Sequence, residues 1–144
     1  MIGLIQRVKC ASVCVDSTIV GSINSGLLLM IGFSRDDREE NIERFLDKIV
    51  SYRIFEDASG RMNESVLDIN GELLVVPQFT LGAITKKGNR PSFSETMEPS
   101  QAKDFYDQFV EMCRSRINVQ CGVFGAHMEV NCTNEGPATF ILVG

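Results

Sequence analysis

Two short segments of the chain carry groups that could act on a bound ligand, and the first is Pro77-Gln78-Phe79-Thr80-Leu81. It places an amide, an aromatic ring and a hydroxyl just after the end of a predicted strand. These groups could line a pocket for a nucleoside and an acyl group. An ordinary strand end explains the same residues, because proline is common there, and composition alone favours that interpretation.

The second segment, Asn134-Glu135-Gly136-Pro137-Ala138-Thr139, contains a Gly-Pro pair. Glycine allows a close approach of the main chain to a ligand, and proline fixes φ and can place the bond in cis. A stiff wall without side chains could sense the handedness of a ligand. Such pairs usually mark turns, and the sequence predicts a turn here that joins strands over residues 127–133 and 138–143.

Side chains typical of hydrolases and metal sites are scarce. His127 is the one histidine, and a lone histidine in a predicted strand is more often structural than catalytic. Cys132 lies five residues further along, so it faces the other side of that strand. A cysteine hydrolase that uses His127 with Cys132 or Cys121 stays an alternative. Metal-ligand spacings and glycine-rich phosphate loops are missing, so we expect neither a metal nor a cofactor.

Composition limits the class of protein further. The 144 residues suit one domain over 1–144, and the apolar run over 27–33 is too short to span a bilayer. Without a recognisable secretory signal, we expect a cytoplasmic protein with no membrane partner. The net charge of -5 argues against broad nucleic-acid binding. Lys86, Lys87 and Arg90 form one local basic cluster, which suits either RNA phosphates or a solvated loop.

Hydrophobic periodicity predicts the elements that must position these segments. Alternation over 2–8, 12–15 and 19–23 predicts an antiparallel meander, and residues 24–26 a turn into a central strand over 27–33 that is covered on both faces. Ser34 and Asp37 resemble a capping box before one amphipathic helix, and Pro99 begins a second. Further strands are predicted over 52–55, 72–77 and 119–124. The result is a single α/β domain with a mixed or antiparallel sheet and two main helices.

Both segments, together with residues 5–8, 52–57 and 88–93, resemble the D-aminoacyl-tRNA deacylase family. The resemblance covers essentially the whole chain. It implies a barrel-like homodimer that hydrolyses the ester bond between a D-amino acid and tRNA, with each active site at the dimer interface.

The resemblance also implies roles for individual residues. Gln78, Phe79 and Thr80 would form the catalytic pocket, and a Gly136-cis-Pro137 pair would enter it from the partner subunit. Arg7 would hold that pair, and Pro77 and Met128 complete the substrate-binding set.

Main-chain atoms beside the amino acid's Cα would exclude an L side chain and admit a D side chain. Glycine would pass as well, so glycyl-tRNA, such as tRNA-Ala mischarged with glycine, is an expected substrate. Thr80 has no evident base to activate it. We therefore expect it to orient water or the tRNA 2′-hydroxyl rather than act as a nucleophile.

Pro77 departs from the family, which usually has serine at this position. Proline cannot donate a hydrogen bond, and proline before glutamine resembles the animal-type deacylases of L-alanyl-tRNA. Phe79, Arg7 and the Asn134 to Thr139 pattern favour the D-specific branch. The alternatives are an L-alanyl-type deacylase and a non-catalytic dimer that binds RNA or a small molecule.

Overall fold

A six-stranded sheet carries most of the chain, and one of its faces is covered by two helices. The computed structural model describes residues 1–86 and 88–144. Its strands are β1 (Ile2–Val15), β2 (Thr18–Ile23), β3 (Gly26–Gly32), β4 (Phe55–Glu56), β5 (Met62–Glu64), β6 (Glu72–Pro77), β7 (Val119–Cys121) and β8 (Glu129–Val143). Its α-helices are α1 (Ile42–Val50) and α2 (Pro99–Arg114).

The N-terminal strand β1 is continuous, whereas the sequence predicted two strands with a break between them. Lys9 and Cys10 are exposed but stay in the strand, and shifts of register beside Val8 absorb the irregularity. The prediction failed because a change in side-chain pattern does not distinguish a bulge from a break. The chain then reverses at Asp16-Ser17, whose positive φ angles of 48° and 62° suit a two-residue hairpin turn.

Strands β2 and β3 lie end to end along one edge of β1. Ala11 pairs with Ile23 and Val8 pairs with Gly26, so both strands run in the same direction. The predicted turn over 24–26 is therefore a bend, and the predicted meander is wrong at this point. A Cβ on Gly26 would collide with the carbonyl oxygen of Glu72, so glycine is needed for the approach of β6.

The middle of the sheet is parallel, because β3 pairs with β6 and β6 with β7. The central position of β3 is confirmed, and nearly all of its residues are buried. Strand β2 curls towards β7, where a Cβ on Gly21 would lie 3.0 Å from the Cys121 carbonyl oxygen. The sheet thus forms the barrel-like core expected. Its apolar interior is formed by Val8, Ala11, Val13, Ile23, Leu28, Leu74 and Val76.

Both helices pack on the outer face of this sheet with the predicted apolar stripes. The first begins later than predicted. Asp37 accepts a hydrogen bond from the Ser34 N–H at 2.7 Å, but a 3-10 turn over Glu39–Asn41 comes before α1. The predicted strand over 52–55 is the short β4, and β7 ends earlier than expected. Among the described residues, no helix is long and apolar enough to cross a membrane.

Candidate active site

The segment after β6 is fixed by the central strand of the sheet. Pro77 pairs with Ile31, and the Gln78 N–H donates to the Ile31 carbonyl at 2.7 Å. A Cβ on Gly32 would lie 2.7 Å from the Gln78 carbonyl oxygen, so a side chain there would displace the segment. The chain then enters a 3-10 helix over Phe79–Gly82.

This short helix presents several hydrogen-bond donors to solvent. The side-chain amide of Gln78 donates to the Thr80 hydroxyl oxygen at 2.5 Å. Thr80 is exposed, and its hydroxyl hydrogen is free to point outward. The main-chain N–H groups of Phe79 and Thr80 donate to no other described residue. Two free N–H groups and one hydroxyl can stabilise negative charge that develops on an ester oxygen.

The Gly-Pro pair lies inside one long strand, so the predicted turn between two strands is wrong. Val8 pairs with Asn134 and Gln6 with Thr139, which leaves the residues Glu135–Ala138 opposite Arg7 alone. The main chain therefore loops out of the ladder as a wide bulge, which we call the Gly-Pro bulge (residues 135–138). The Gly136-Pro137 bond is cis, and Gly136 has a φ of 125° that L side chains rarely adopt. Both residues are exposed.

A buried arginine holds the base of the bulge. Arg7 is only 5% exposed, and its Nε donates to the Glu135 carbonyl at 3.0 Å. Its Nη1 donates to the Ile54 carbonyl at 2.7 Å, and its Nη2 lies 3.8 Å from a carboxylate oxygen of Glu56. The guanidinium thus joins the bulge to the chain that leads into β4. This contact is a physical basis for the role predicted for Arg7, and its part in substrate binding stays a prediction.

Asn134 is a second clamp, which the sequence analysis did not single out. Its side-chain oxygen accepts the Ala138 N–H at 2.9 Å, and its amide nitrogen donates to the Thr139 hydroxyl at 3.0 Å. Gln6 also donates to that hydroxyl, at 3.2 Å. Asparagine side chains commonly form hydrogen bonds with nearby main chain. The position of Asn134, two residues before Gly136, could therefore have indicated this role from the sequence.

Within one protomer the structure does not bring the two segments together. The strands between them lie in the order β8, β1, β3 and β6. The bulge on β8 lies opposite Arg7 on β1. Arg7 pairs with Leu27 on β3, and Leu27 pairs with Leu73 on β6. Measured along the curved sheet, three inter-strand spacings and the rise from Leu73 to Gln78 on β6 separate the segments by about 20 Å.

Pro77 and Met128 do lie close together, both next to Gly122. A Cβ on Gly122 would lie 3.5 Å from Pro77 Cδ and 2.7 Å from Met128 Sδ. Met128 is half-buried and packs against the barrel interior. This pair forms an apolar wall beside the Gln78 segment, and its contact with substrate stays a prediction.

The remaining predicted residues are at the surface. Lys86 and Arg90 are exposed in a loop that the Ile84–Ser92 bridge closes, and Lys87 lies outside the described residues. His127 is exposed and has no hydrogen bond to any thiol of the described chain. In the part of the chain that the structure describes, no three His, Cys, Asp or Glu side chains are grouped to hold a metal.

Comparison with known proteins identifies the family of this chain. The family described as D-Tyr-tRNA(Tyr) deacylase matches residues 4–143. A D-aminoacyl-tRNA deacylase of Francisella tularensis subsp. tularensis is 50% identical over 141 residues, which are 97% of each chain. The D-aminoacyl-tRNA deacylase of Thermosipho africanus is 49% identical over 143 residues, 99% of this chain and 96% of the relative.

Two solved structures share the fold. One, titled c-Myc DNA Unwinding Element Binding Protein, has a TM-score of 0.95 and 38% identity and covers 100% of this chain and 99% of its own. The other, a probable eukaryotic D-amino acid tRNA deacylase, has a TM-score of 0.85 over 98% of this chain and 97% of its own, and its 18% identity indicates the fold alone.

The fold and the family match define a deacylase, which is a class of hydrolase. The chain belongs to the D-Tyr-tRNA(Tyr) deacylase family. The resemblance seen in the sequence and the prediction of an enzyme are both confirmed.

Proposed function

We propose that this chain hydrolyses the ester bond of D-aminoacyl-tRNA, releasing the D-amino acid and free tRNA, as a homodimer in which both subunits build each active site. D-aminoacyl-tRNA deacylase is the name of relatives that are about half identical over nearly the full chain. A tRNA substrate would place the enzyme in the cytoplasm, with Lys86, Lys87 and Arg90 near acceptor-stem phosphates.

The proposal of a homodimer is supported mainly by the separation between the Gln78 segment and the Gly-Pro bulge. The donors around Thr80 lie about 20 Å from the Gly-Pro bulge of the same chain, by the strand spacings described above. The bulge is exposed and is held at its base by Arg7. Among the described residues, no hydrogen bond joins it to Gln78, Phe79 or Thr80 of its own protomer. A two-fold axis places the same surface of each subunit against the other, so two copies could each complete the other's pocket.

An apolar sheet face beside the bulge supports a second copy as the partner. Ile141 and Val143 are each 63% exposed, and they pair with Leu4 and Ile2 on β1. Met30 extends the same face, because it also pairs with Leu4. Side chains of directly paired residues lie on one face of a sheet. A contiguous apolar face of this kind is typical of an interface.

The chemistry needs little from acidic or basic side chains. The tRNA ester is more reactive than an amide, so positioning and an oxyanion site are the main requirements. The N–H groups of Phe79 and Thr80 would receive the ester oxygen. Thr80 accepts from Gln78, and no described base takes its proton, which favours a hydroxyl that orients water or the tRNA 2′-hydroxyl over a nucleophile.

Selection for the D form would come from the main chain of the Gly-Pro bulge. The bulge carries no side chain at Gly136, and Arg7 and Asn134 hold it in place. Against such a wall an L side chain would clash, a D side chain would point away, and glycine would fit. Glycyl-tRNA is therefore a predicted substrate.

Rate measurements with three substrates test this function. D-tyrosyl-tRNA and glycyl-tRNA should be cleaved at low enzyme concentration, and L-tyrosyl-tRNA should stay intact. Cleavage of L-alanyl-tRNA in preference to D forms would favour the L-alanyl-type alternative suggested by Pro77. Binding without turnover of any of these substrates would favour a non-catalytic RNA-binding dimer.

Mixing two variants of reduced activity tests the shared site separately. In a heterodimer of Thr80→Val and Gly136→Ala subunits, one of the two sites contains neither substitution. Random exchange should therefore restore about a quarter of wild-type activity, because half of the dimers are mixed. If each site were formed within one protomer, mixing would restore nothing. Each variant alone, mixed with itself, is the control.

A further inference from the structure

Two phenylalanine rings pack on each other at the surface beside the Gln78 segment. The ring centroids of Phe79 and Phe93 are 5.1 Å apart with their planes at 53°. Phe79 is 58% exposed and Phe93 39%, and neither belongs to the two apolar cores. We propose that this pair is a stacking platform for an unpaired nucleobase at the 3′ end of the substrate RNA. The proposal rests on the proposed tRNA substrate.

The main chain holds both rings in place. Phe93 follows the bridge between Ile84 and Ser92, and its carbonyl accepts hydrogen bonds from the Thr96 N–H at 3.1 Å and hydroxyl at 2.7 Å. Phe79 begins the 3-10 helix that packs on the same turn, where a Cβ on Gly82 would lie 3.1 Å from Thr96 Cγ2. A platform fixed before binding loses little conformational entropy when a base stacks on it.

Basic side chains lie in segments next to this platform. The Arg35 N–H donates to the Glu95 carbonyl at 3.1 Å, and its guanidinium lies 3.4 Å from the Ser94 carbonyl, next to Phe93. Arg35 is 62% exposed and lies 4.0 Å from the exposed Asp36 carboxylate. Lys86 and Arg90 are exposed in the loop that precedes Phe93. These cations lie where the phosphates on either side of a stacked base could reach them.

Stacking also explains how a protein with a negative net charge could bind RNA. The chain carries -5, and binding that depends on phosphate neutralisation alone would be weak. Every base has a π-face, so aromatic stacking binds single-stranded RNA without a strongly basic surface or a fixed sequence. The exposed rings can therefore hold the 3′ end beside Thr80 while the cations add to that binding.

The chain contains no tryptophan, so Phe93→Trp introduces a single fluorescent reporter into the platform. We expect saturable quenching with deacylated tRNA that has its complete 3′ end, and none with the same tRNA lacking its last three nucleotides. Ile19→Trp is the matched control, because Ile19 is 62% exposed on β2 outside the platform. Equal quenching by both tRNAs, or equal quenching of both variants, would overturn the proposal.

Kinetics provide an independent readout if the reporter variant does not fold. Phe93→Leu should raise KM for D-aminoacyl-tRNA by about 5- to 150-fold, the range that base–aromatic stacking gives, with little change in kcat. Phe93→Tyr should restore the wild-type KM. If the wild-type enzyme is active and Phe93→Leu leaves KM unchanged, the stacking platform would be refuted and the proposed function would not. An inactive wild-type enzyme would instead refute the proposed function, and the quenching experiment would still decide whether RNA stacks there.

Discussion

Replacing Arg7 by Met removes the guanidinium that holds the Gly-Pro bulge and keeps a side chain of similar length. Arg7 is 5% exposed and donates to the carbonyls of Glu135 at 3.0 Å and Ile54 at 2.7 Å. Methionine can donate to neither, so both carbonyl oxygens lose their partner. The substitution therefore separates packing volume, which is kept, from hydrogen bonding, which is lost.

The size of the effect follows from the burial of the two acceptors. Ile54 is 1% exposed, and an unpaired buried carbonyl costs about 1.5–3 kcal/mol when its lost donor was charged. Glu135 is half-buried, so its carbonyl regains water and costs about 0.5–1 kcal/mol. We expect Arg7→Met to lower the free energy of unfolding by about 2–4 kcal/mol, which corresponds to about 5–15 °C in Tm.

Urea unfolding at a fixed protein concentration measures this loss, since the stability of the proposed dimer would depend on concentration. Deacylation of D-aminoacyl-tRNA should fall by about tenfold or more even at temperatures where the variant is folded, because the bulge is no longer held in position. Lys9→Met is the matched control. Lys9 is 66% exposed and lies 3.8 Å from the Glu135 carboxylate, so its loss should change stability by less than about 0.5 kcal/mol. Equal stability of Arg7→Met and Lys9→Met would refute the reasoning.

Three further outcomes are expected. Gly136→Ala places a Cβ 2.8 Å from Arg7 Nη2 at a φ of 125°, so D-aminoacyl-tRNA cleavage should fall by about tenfold or more, and full activity would contradict a role for the bulge. Thr80→Val removes the hydroxyl that Gln78 holds, which should lower kcat by about 100- to 1000-fold, whereas Thr80→Ser should stay near wild type. Burial raises the pKa of the Cys113 thiol from 9.0 to about 12. The contribution of Cys113 to stability should therefore be constant below pH 9 and fall between pH 9 and 12, by up to about 1.4 kcal/mol per pH unit. Burial also raises the pKa of the Tyr106 hydroxyl, so Cys113→Ala should lose stability less steeply than wild type over this range in urea unfolding, without becoming independent of pH.

Elements whose pattern depends on burial alone could be predicted from the sequence. The continuous apolar run of β3 indicated a strand covered on both faces, and the apolar stripes of α1 and α2 indicated their packing faces. The continuity of β1 and the collinear arrangement of β2 and β3 could not be predicted. Both depend on which residues pair across the sheet, and a bend, a bulge and a turn have the same polar residues and glycines.

In the candidate active site, contacts between neighbouring residues could likewise be predicted, and contacts between distant residues could not. The contact between Gln78 and Thr80 joins residues two positions apart and is visible in the segment itself. The contacts of Arg7 with Glu135 and Ile54 join distant parts of the chain, so only the family resemblance indicated a role for Arg7. Phe93 belonged to a matching segment without an assigned role, because its packing against Phe79 depends on the fold.

The Gly-Pro bulge also has a consequence for the free edge of the sheet. Strand β8 pairs with β1 on one side and, among the described strands, with none on the other. A straight edge of 15 residues that ends in exposed Ile141 and Val143 would be a template for another chain to pair with. The bulge interrupts that edge near its middle. A strand from another chain would therefore find two short stretches of β8 that are not in line with each other, instead of one continuous edge. The Gly-Pro bulge, proposed to discriminate between substrates, would therefore also hinder edge-to-edge aggregation of the folded chain.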